Sequence, residues 1–267
     1  MERPLPHHKG VYILPNLFTT ASLFAGFWGV LMAAQGNFEG CALAILFSAL
    51  MDGLDGKVAR LTNTASEFGV QYDSLADLVA FGLTPAFMLY QYQLHTFHKA
   101  GVAVAFLFTV CAALRLARFN VTTAVLSKRF FVGLPTPAAG CCLALTVLFV
   151  PNIPQGIMGA FPVFCLLFTC LLAVLMVSNI RYASFKELGF IKAKPFKTMV
   201  GVIILFALVV SDPIFYGYLT MLGYITSGLV YTYIIFPRMA KMENRLNTTG
   251  QSEKKPHPTS EDTYTQQ

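Results

Sequence analysis

Charge is scarce in this sequence. Only 12% of the 267 residues are Asp, Glu, Lys or Arg, whereas 55% are hydrophobic, and the mean hydropathy is +0.60. An ordinary water-soluble domain carries about 25% charged residues. The composition therefore excludes that class and indicates an integral membrane protein.

Cysteine and histidine patterns typical of metal sites are also missing. None of the six cysteines shows Cys-x-x-Cys spacing, and all lie in apolar segments, so we predict that they are small packing residues. His95 and His98 have no acid beside them and are expected to lie at the membrane interface. The net charge of +6 fits basic loops beside anionic lipid head groups, so no nucleic-acid partner is expected.

Long hydrophobic runs dominate what is present. A helix needs about 20 residues to cross the ~30 Å hydrocarbon core of a bilayer. Eight mainly apolar segments approach that length, at about 15–34, 37–55, 75–92, 99–117, 134–151, 158–178, 197–211 and 214–236. The predicted fold class is all-α, a polytopic membrane helix bundle of about eight transmembrane helices. Residues 1–246 would form this membrane domain, and the polar residues 247–267 a disordered tail.

The basic residues predict the orientation of the bundle. If the two termini and the loops at 56–74, 115–133 and 181–197 share one side, that side holds every one of the 19 Lys and Arg residues except Lys99. Such loops face the cytoplasm. Both termini and the 56–74 loop are therefore predicted to be cytoplasmic.

Against this background the stretch "MDGLDGKVARLTNTASEFGVQYDSLAD", residues 51–77, concentrates acids. The chain has 13 acids in all, and this stretch holds Asp52, Asp55, Glu67, Asp73 and Asp77. At 100° per residue, the first helix face would carry Asp52, Asp55, Gly56 and Ala59, and the next helix would carry Gly69, Asp73 and Asp77 at four-residue steps. Two such stripes on adjacent antiparallel helices can face each other.

Four converging carboxylates repel one another, and an unpaired charge inside the bilayer costs about 2.5–3.5 kcal/mol on the mildest scale. Divalent cations would neutralise them. Oxygen ligands suit Mg²⁺, Mn²⁺ or Ca²⁺, and two ions sharing carboxylates can clamp a phosphoryl displacement. The small residues on both stripes would let a flat or phosphorylated ligand approach the backbone.

Two other interpretations of the acids are open at this point. The stretch can be a solvated loop in which Asp52 and Asp55 pair with Lys57 or Arg60. A cation transporter also carries intramembrane acids. The transporter is disfavoured because the acids crowd one end of the helices, and the other segments offer few polar residues at mid-membrane depth.

The same stretch resembles the CDP-alcohol phosphotransferase signature D-x2-D-G-x2-A-R-x8-G-x3-D-x3-D, whose eight fixed positions are all matched. Members of that family are membrane enzymes with a six-helix core and are homodimers. They move a substituted phosphoryl group from a CDP-linked donor to an alcohol and release CMP. The resemblance therefore implies a transferase whose aspartates hold two divalent ions.

Carried across position by position, the resemblance assigns roles to the motif residues. The metal ligands for Mg²⁺ or Mn²⁺ would be Asp52, Asp55 and Asp73, with Asp77 sharing the metal site and acting as catalytic base on the acceptor hydroxyl. Gly56, Ala59 and Gly69 would accommodate the cytidine nucleotide. Arg60 would either contact a phosphate or pair with a motif acid.

Three flanking stretches, "LPNLFTTASLFAGF", "ALRLARFNV" and "FVGLPTPAAG", resemble the members that use serine. They imply CDP-diacylglycerol as donor and L-serine as acceptor at the cytoplasmic face of the inner membrane, with glycerol 3-phosphate or an inositol phosphate as alternative acceptors. Asn16 and Thr19 would bind the nucleotide or cap a helix. Arg115 and Arg118 would bind the serine carboxylate or a donor phosphate, or form an ordinary basic flank.

Overall fold

The computed structural model describes residues 13–62, 66–125, 131–182, 195–230 and 232. Its helices are α1 (Ile13–Ala34), α2 (Phe38–Leu61), α3 (Glu67–Asp77), α4 (Thr84–Tyr92), α5 (Lys99–Val125), α6 (Thr136–Phe149), α7 (Phe161–Val177), α8 (Pro195–Ser211) and α9 (Pro213–Val230). A π-helical turn, Leu78–Leu83, joins α3 to α4, and 3₁₀ turns cover Leu94–Phe97, Val150–Asn152 and Gln155–Ala160. Helix lies in all eight predicted segments. The predicted tail, 247–267, lies outside the described residues.

Three of these helical segments are long and apolar enough to cross a membrane, namely Pro15–Ala34, Lys99–Val121 and Gln155–Val177. The bundle around them exposes large apolar side chains to its surroundings. Phe24 is 62% exposed, Leu167 64% and Phe206 69%. An apolar outer surface of this kind suits lipid, because lipid tails impose no penalty on it. The all-α membrane bundle is confirmed.

The core surrounds α6, in which every residue from Ala139 to Leu148 is buried. Fully buried side chains from other helices meet it, including Ile45, Met88, Phe108 and Leu172. The cysteines are free and, apart from the half-buried Cys170, buried. They are packing residues, as predicted.

Two short strands were not predicted. β1 (Phe131–Val132) pairs antiparallel with β2 (Arg181–Tyr182), and the Gly133 N–H donates to the Ile180 carbonyl at 2.8 Å. Gly133 has φ +85°, in the left-handed region that favours glycine. Strands of two residues are too short to show an alternating pattern. They join the start of α6 to the end of α7.

Candidate active site

The acidic stretch folds as two facing helix ends. Asp52 and Asp55 lie in the last turns of α2 and Asp73 lies in α3, and one carboxylate oxygen from each comes within 4.8 Å of the others. The four-residue periodicity had placed these groups on facing stripes, and the packing of the helices brings them together. Three hard oxygen ligands this close fit a divalent cation of the Mg²⁺ or Mn²⁺ type.

Thr19 of α1 holds one member of this group. Its hydroxyl donates to Asp55 Oδ2 at 2.8 Å, and both residues are buried. The helix begins at Ile13, so Thr19 lies inside it and does not cap it. Fixing the Asp55 carboxylate orients its remaining oxygen for a ligand. Thr19 therefore contacts a predicted metal ligand, a role that the sequence pattern had not indicated.

Helix α3 is tied to its neighbours on both sides of Asp73. Tyr72 shares a 2.9 Å hydrogen bond with Thr20 of α1, and Asn120 Nδ2 of α5 donates to Ser74 Oγ at 3.0 Å. These bonds fix the rotation of α3 and hence the direction of Asp73. The sequence analysis missed all four partners. Asn120 and Thr20 nevertheless lie in the flanking stretches that carried the family resemblance.

Asp73 lies before the predicted membrane-spanning segment that begins near residue 75. Burial, followed by the negative charges of Asp55 and Asp52, raises the pKa of Asp73 to about 7. Carboxylates packed this closely repel one another when ionised, and the repulsion favours the protonated acid. A bound divalent cation would reverse that preference, so the charges of this cluster agree with its ligand chemistry.

Asp77 lies one turn further along α3 and is buried, as Asp55 is. It is 8% exposed, and its Oδ1 atom has no hydrogen-bond partner. The group of three oxygens within 4.8 Å does not include it. Its assignment as a shared metal ligand stays a prediction, whereas its burial beside that group agrees with a role in proton transfer.

The π-helical turn directly after Asp77 is held where two neighbouring helices, α1 and α6, come close to its backbone. A Cβ atom at Gly26 of α1 would lie 2.7 Å from Ala80 Cα, and one at Gly140 of α6 would lie 2.9 Å from Phe81 Cα. Only glycine permits backbones to come this close. Turns of this type are frequent at functional sites. This one sets where α3 ends, and no sequence pattern had indicated it.

Arg115 of α5 is joined to α6, because its Nη1 donates to Thr136 Oγ1 at 2.8 Å. Its positive charge and the negative charge of Asp77 attract each other. Within the described part of the chain, Asp77 Oδ1 and Arg115 Nε are the buried side-chain polar atoms that lack a hydrogen-bond partner. Unpaired buried atoms of this kind mark a place for a ligand or water.

Arg118 contacts the end of α7. Its Nη1 donates to the Val177 carbonyl at 3.2 Å and its Nη2 to Asn179 Oδ1 at 3.0 Å, at the end of α7. A cation at a helix C-terminus stabilises the exposed carbonyls there. These contacts favour the structural alternative for Arg118, and its predicted contact with substrate stays untested.

The small residues predicted to bind the nucleotide line an open face. A Cβ atom at Gly56 would meet only the Arg60 guanidinium, whose Nη1 atom would be 3.5 Å away. Ala59 lies half-buried one turn on. A Cβ atom at Gly69 would lie 3.1 Å from Ser66 Oγ and 3.5 Å from Asn16 Oδ1. Room is therefore left beside Gly56, and the nucleotide role of these residues stays a prediction.

Comparison with known proteins matches the family model for CDP-alcohol phosphatidyltransferase to residues 12–170. A Helicobacter pylori protein named CDP-diacylglycerol–serine O-phosphatidyltransferase is 39% identical over 231 residues, which cover 85% of this chain and 95% of that protein. A Bacillus subtilis protein of the same name is 32% identical over 174 residues, or 65% and 92% of the two chains. An archaetidylserine synthase of Methanothermobacter thermautotrophicus is 30% identical over 178 residues, or 66% and 72%.

Proposed function

This chain belongs to the CDP-alcohol phosphatidyltransferase family, and we propose that it transfers the phosphatidyl group of CDP-diacylglycerol to the hydroxyl of L-serine. The products would be phosphatidylserine and CMP. The observation that carries the proposal is the cluster of three carboxylates, Asp52, Asp55 and Asp73, in a site where Asp77 and Arg115 each keep a buried polar atom without a hydrogen-bond partner.

The three clustered carboxylates would hold one or two Mg²⁺ or Mn²⁺ ions, and Ca²⁺ fits the same ligands. When bound, such ions supply positive charge that neutralises the pyrophosphate of the donor. The protein's own part is to hold the ligands in place. Thr19 fixes Asp55, and the bonds on either side of Asp73 fix α3.

The donor would lie with its cytidine against Gly56, Ala59 and Gly69, because that face is open beside the acids. Its acyl chains would stay in the lipid. Arg60, whose guanidinium lies near Gly56, would contact a phosphate of the donor. Asn16, opposite Gly69, would donate a hydrogen bond to the nucleotide.

Asp77 would take the proton of the serine hydroxyl. The freed oxygen would bond to the lipid-linked phosphorus, and the bond from that phosphorus to the CMP oxygen would break. Arg115, beside Asp77, would bind the serine carboxylate through charge-assisted hydrogen bonds. The unpartnered atoms on both side chains, Asp77 Oδ1 and Arg115 Nε, agree with an acceptor lying between them.

Serine is favoured as acceptor because the three relatives described above are named for phosphatidylserine or archaetidylserine synthesis. The archaeal relative differs from the bacterial ones in the lipid part of its name and shares the serine part. Glycerol 3-phosphate and inositol phosphate are the alternative acceptors. Each carries a phosphate, and the same arginine would then bind that group.

A cation transporter is a weaker candidate. Apart from Asp55 and Asp77, the buried polar side chains in the described ranges are Ser or Thr hydroxyls. Those at mid-bundle depth are hydrogen-bonded, as Ser22 is to Ser48 and Thr169 to the Cys165 carbonyl. A conduction path would need polar groups that continue beyond the acid cluster.

We also propose that the active site faces the cytoplasm at the inner membrane, with both termini on that side. The basis is the distribution of Lys and Arg. Homodimerisation is a further proposal, and it rests on the family resemblance. Light scattering of the detergent-solubilised protein, with the detergent mass subtracted, measures the number of chains directly.

The test of function supplies purified protein with CDP-diacylglycerol and Mn²⁺ or Mg²⁺, and with serine, glycerol 3-phosphate or inositol phosphate in turn. CMP release and the mass of the lipid product are followed. Serine is expected to give phosphatidylserine and CMP. The absence of CMP with every acceptor would contradict the enzyme proposal, whereas product with another acceptor would contradict only the choice of serine.

The proposed base is tested by Asp77→Asn, which removes the proton acceptor and keeps the shape of the side chain. Turnover should fall by roughly a hundred- to ten-thousandfold. Binding of CDP-diacylglycerol, measured by equilibrium dialysis with labelled donor, should remain. A variant that retains most of its turnover would refute the assignment of Asp77.

A further inference from the structure

We propose that Thr84 is a positioning residue for Asp77, because its buried hydroxyl joins the π-helical turn after Asp77 to α1. The inference rests on the proposed function, since it takes Asp77 to be the base. It assigns a role in the reaction to a residue outside the acidic stretch 51–77, at the start of α4.

The hydrogen bonds of Thr84 connect three elements of the fold. Thr84 is the first residue of α4 and is fully buried. Its Oγ1 donates to the Val79 carbonyl of the turn at 2.8 Å and to the Gly26 carbonyl of α1 at 3.0 Å. Its backbone N–H donates to the same Val79 carbonyl, which closes the turn. One residue therefore closes the π-helical turn and attaches it to a neighbouring helix.

The methyl group of Thr84 packs against α1 as well. A Cβ atom at Gly29 would lie 2.9 Å from Thr84 Cγ2, and one at Gly26 would lie 2.7 Å from Ala80 Cα. The two glycines let the turn and α4 come this close to α1. Because the methyl and the hydroxyl share one β-branched carbon, rotation about χ1 moves both together. The contact at Gly29 therefore fixes the direction of the bond to Gly26.

The π-helical turn sets how α3 is rotated against α4. Such a turn holds one residue more than a turn of α-helix, so it offsets the helix faces before and after it by about 100°. The orientation of α4 is fixed by the core, because Met88 and Leu89 are fully buried. If the turn relaxed to α-helix, the end of α3 would have to rotate. Asp77, which directly precedes the turn, would then leave its position.

Another buried threonine shows what is particular to Thr84. Thr169 of α7 is also fully buried, and its hydroxyl donates to the Cys165 carbonyl, four residues earlier in the same helix, at 2.7 Å. A bond of that kind stays within one helix. The Thr84 hydroxyl instead reaches five residues back across the turn and also reaches α1. Loss of the Thr84 hydroxyl should therefore displace the end of α3, whereas loss of the Thr169 hydroxyl should not.

The experiment compares Thr84→Val with Thr84→Ser and with the matched control Thr169→Val. Valine replaces the hydroxyl by a methyl group, and serine keeps the hydroxyl. We expect Thr84→Val to lower kcat with serine roughly ten- to a hundredfold, as a displacement of about 1 Å does in an active site. Mn²⁺ affinity and the KM for CDP-diacylglycerol should stay unchanged, because the bonds of Tyr72 and Ser74 still hold α3 around Asp73. Thr84→Ser and Thr169→Val should keep wild-type kcat.

A second pair of variants tests the same contact without removing the hydroxyl. The Cβ atom of Gly29→Ala would lie 2.9 Å from Thr84 Cγ2, whereas its next neighbours, Ala44 Cβ and Cys41 Sγ, are at 3.5 Å. The added methyl should turn the Thr84 side chain away from Gly26 and lower kcat roughly tenfold. Adding Thr84→Ser removes the colliding methyl, so the double variant should recover wild-type kcat. Independent damage at the two sites would add instead.

Three results would overturn the inference: wild-type kcat in Thr84→Val, an equal loss of kcat in Thr84→Ser or Thr169→Val, or no recovery when Thr84→Ser is added to Gly29→Ala. If the Thr84→Val chain does not fold, the Gly29→Ala pair decides, because both of its members keep the hydroxyl.

Failure of this inference is distinguishable from failure of the proposed function. If wild-type protein releases CMP with serine and Thr84→Val behaves like Thr169→Val, the inference alone is wrong. If wild-type protein uses a phosphorylated acceptor instead, the choice of serine is wrong, and the same kcat comparison is made with that acceptor. If Asp77→Asn keeps its turnover, or wild-type protein releases no CMP, the inference falls with the proposal on which it rests.

Discussion

The two sides of the active site are built in different ways. The acidic side consists of Asp52, Asp55 and Asp73, which lie within residues 51–77 on two consecutive helices. The basic side is Arg115 with Thr136, which come from α5 and α6. Helical periodicity alone brings the first set onto facing stripes. The second set converges only because distant helices pack together.

The two sides differ in how precisely their side chains must be positioned. Three carboxylates can share a cation wherever two helix faces meet, and small errors in spacing are absorbed by the ion's flexible coordination. A guanidinium that must meet a small substrate beside a buried base requires fixed neighbours on every side. Asp77 belongs to the acidic stretch by sequence, and its charge interacts with that of Arg115, so it links the two sides.

Among the changes that compare the two sides, removing a cluster carboxylate should have the largest effect. Asp73→Asn removes a charged ligand, and turnover is expected to fall by roughly a hundred- to a thousandfold with loss of Mn²⁺ binding. Calorimetric titration with Mn²⁺ and CMP release measure the two effects. Asp212→Asn is the control, since Asp212 accepts from the Phe215 N–H at 2.9 Å and Asn keeps that oxygen. An Asp73→Asn chain that binds Mn²⁺ normally would remove Asp73 from the metal site.

Arg115 and Arg118 form the next test, because they are three residues apart and make different contacts. Arg115→Met should raise the serine KM ten- to a hundredfold, about 1.5–3 kcal/mol for a lost bond to a charged group. Arg118→Met should leave that KM unchanged and lower the melting temperature, since it loses bonds to Val177 and Asn179. Steady-state kinetics and thermal unfolding check both. If the two substitutions raised the serine KM equally, the proposed difference between Arg115 and Arg118 would be wrong.

A substitution at Gly140, where α6 comes close to the turn after Asp77, should have a smaller effect. The Cβ atom of Gly140→Ala would lie 2.9 Å from the Phe81 Cα and carbonyl oxygen, which are backbone atoms that cannot rotate away. The expected loss of stability is about 1–3 kcal/mol, with lower kcat because Asp77 shifts. Gly156→Ala is the control, since nothing lies within 4 Å of its Cβ position. Thermal unfolding would show equal stability for the two variants if the approach at Gly140 were unimportant.

The pH dependence of metal binding should be the mildest effect. Burial and the charges of Asp55 and Asp52 raise the pKa of Asp73 to about 7, so below that pH a cation must displace a proton. Mn²⁺ affinity should rise by up to about tenfold per pH unit below pH 7 and level off above it. Titrations between pH 5.5 and 8.5 measure this. An affinity that falls as pH rises would contradict the assignment.

Much of the fold and part of the site followed from the sequence. Hydrophobic length predicted the eight helical segments, and helical periodicity predicted the convergence of Asp52, Asp55 and Asp73. No local pattern indicated the bond from Thr19 to Asp55 or the one from Arg115 to Thr136. Those pairs join residues on different helices, and their contact depends on how the helices rotate against one another.

The sequence by itself determined the membrane class, the helical segments and the chemistry of the acidic stretch, because each depends on residues within a few helical turns. Tertiary structure alone decided the π-helical turn that ends α3 and the bonds that join Thr19 to Asp55 and Arg115 to Thr136. The physical reason is packing. The approach of Gly26 and Gly140 to that turn is set by the whole bundle, and it fixes the end of α3, where Asp77 lies.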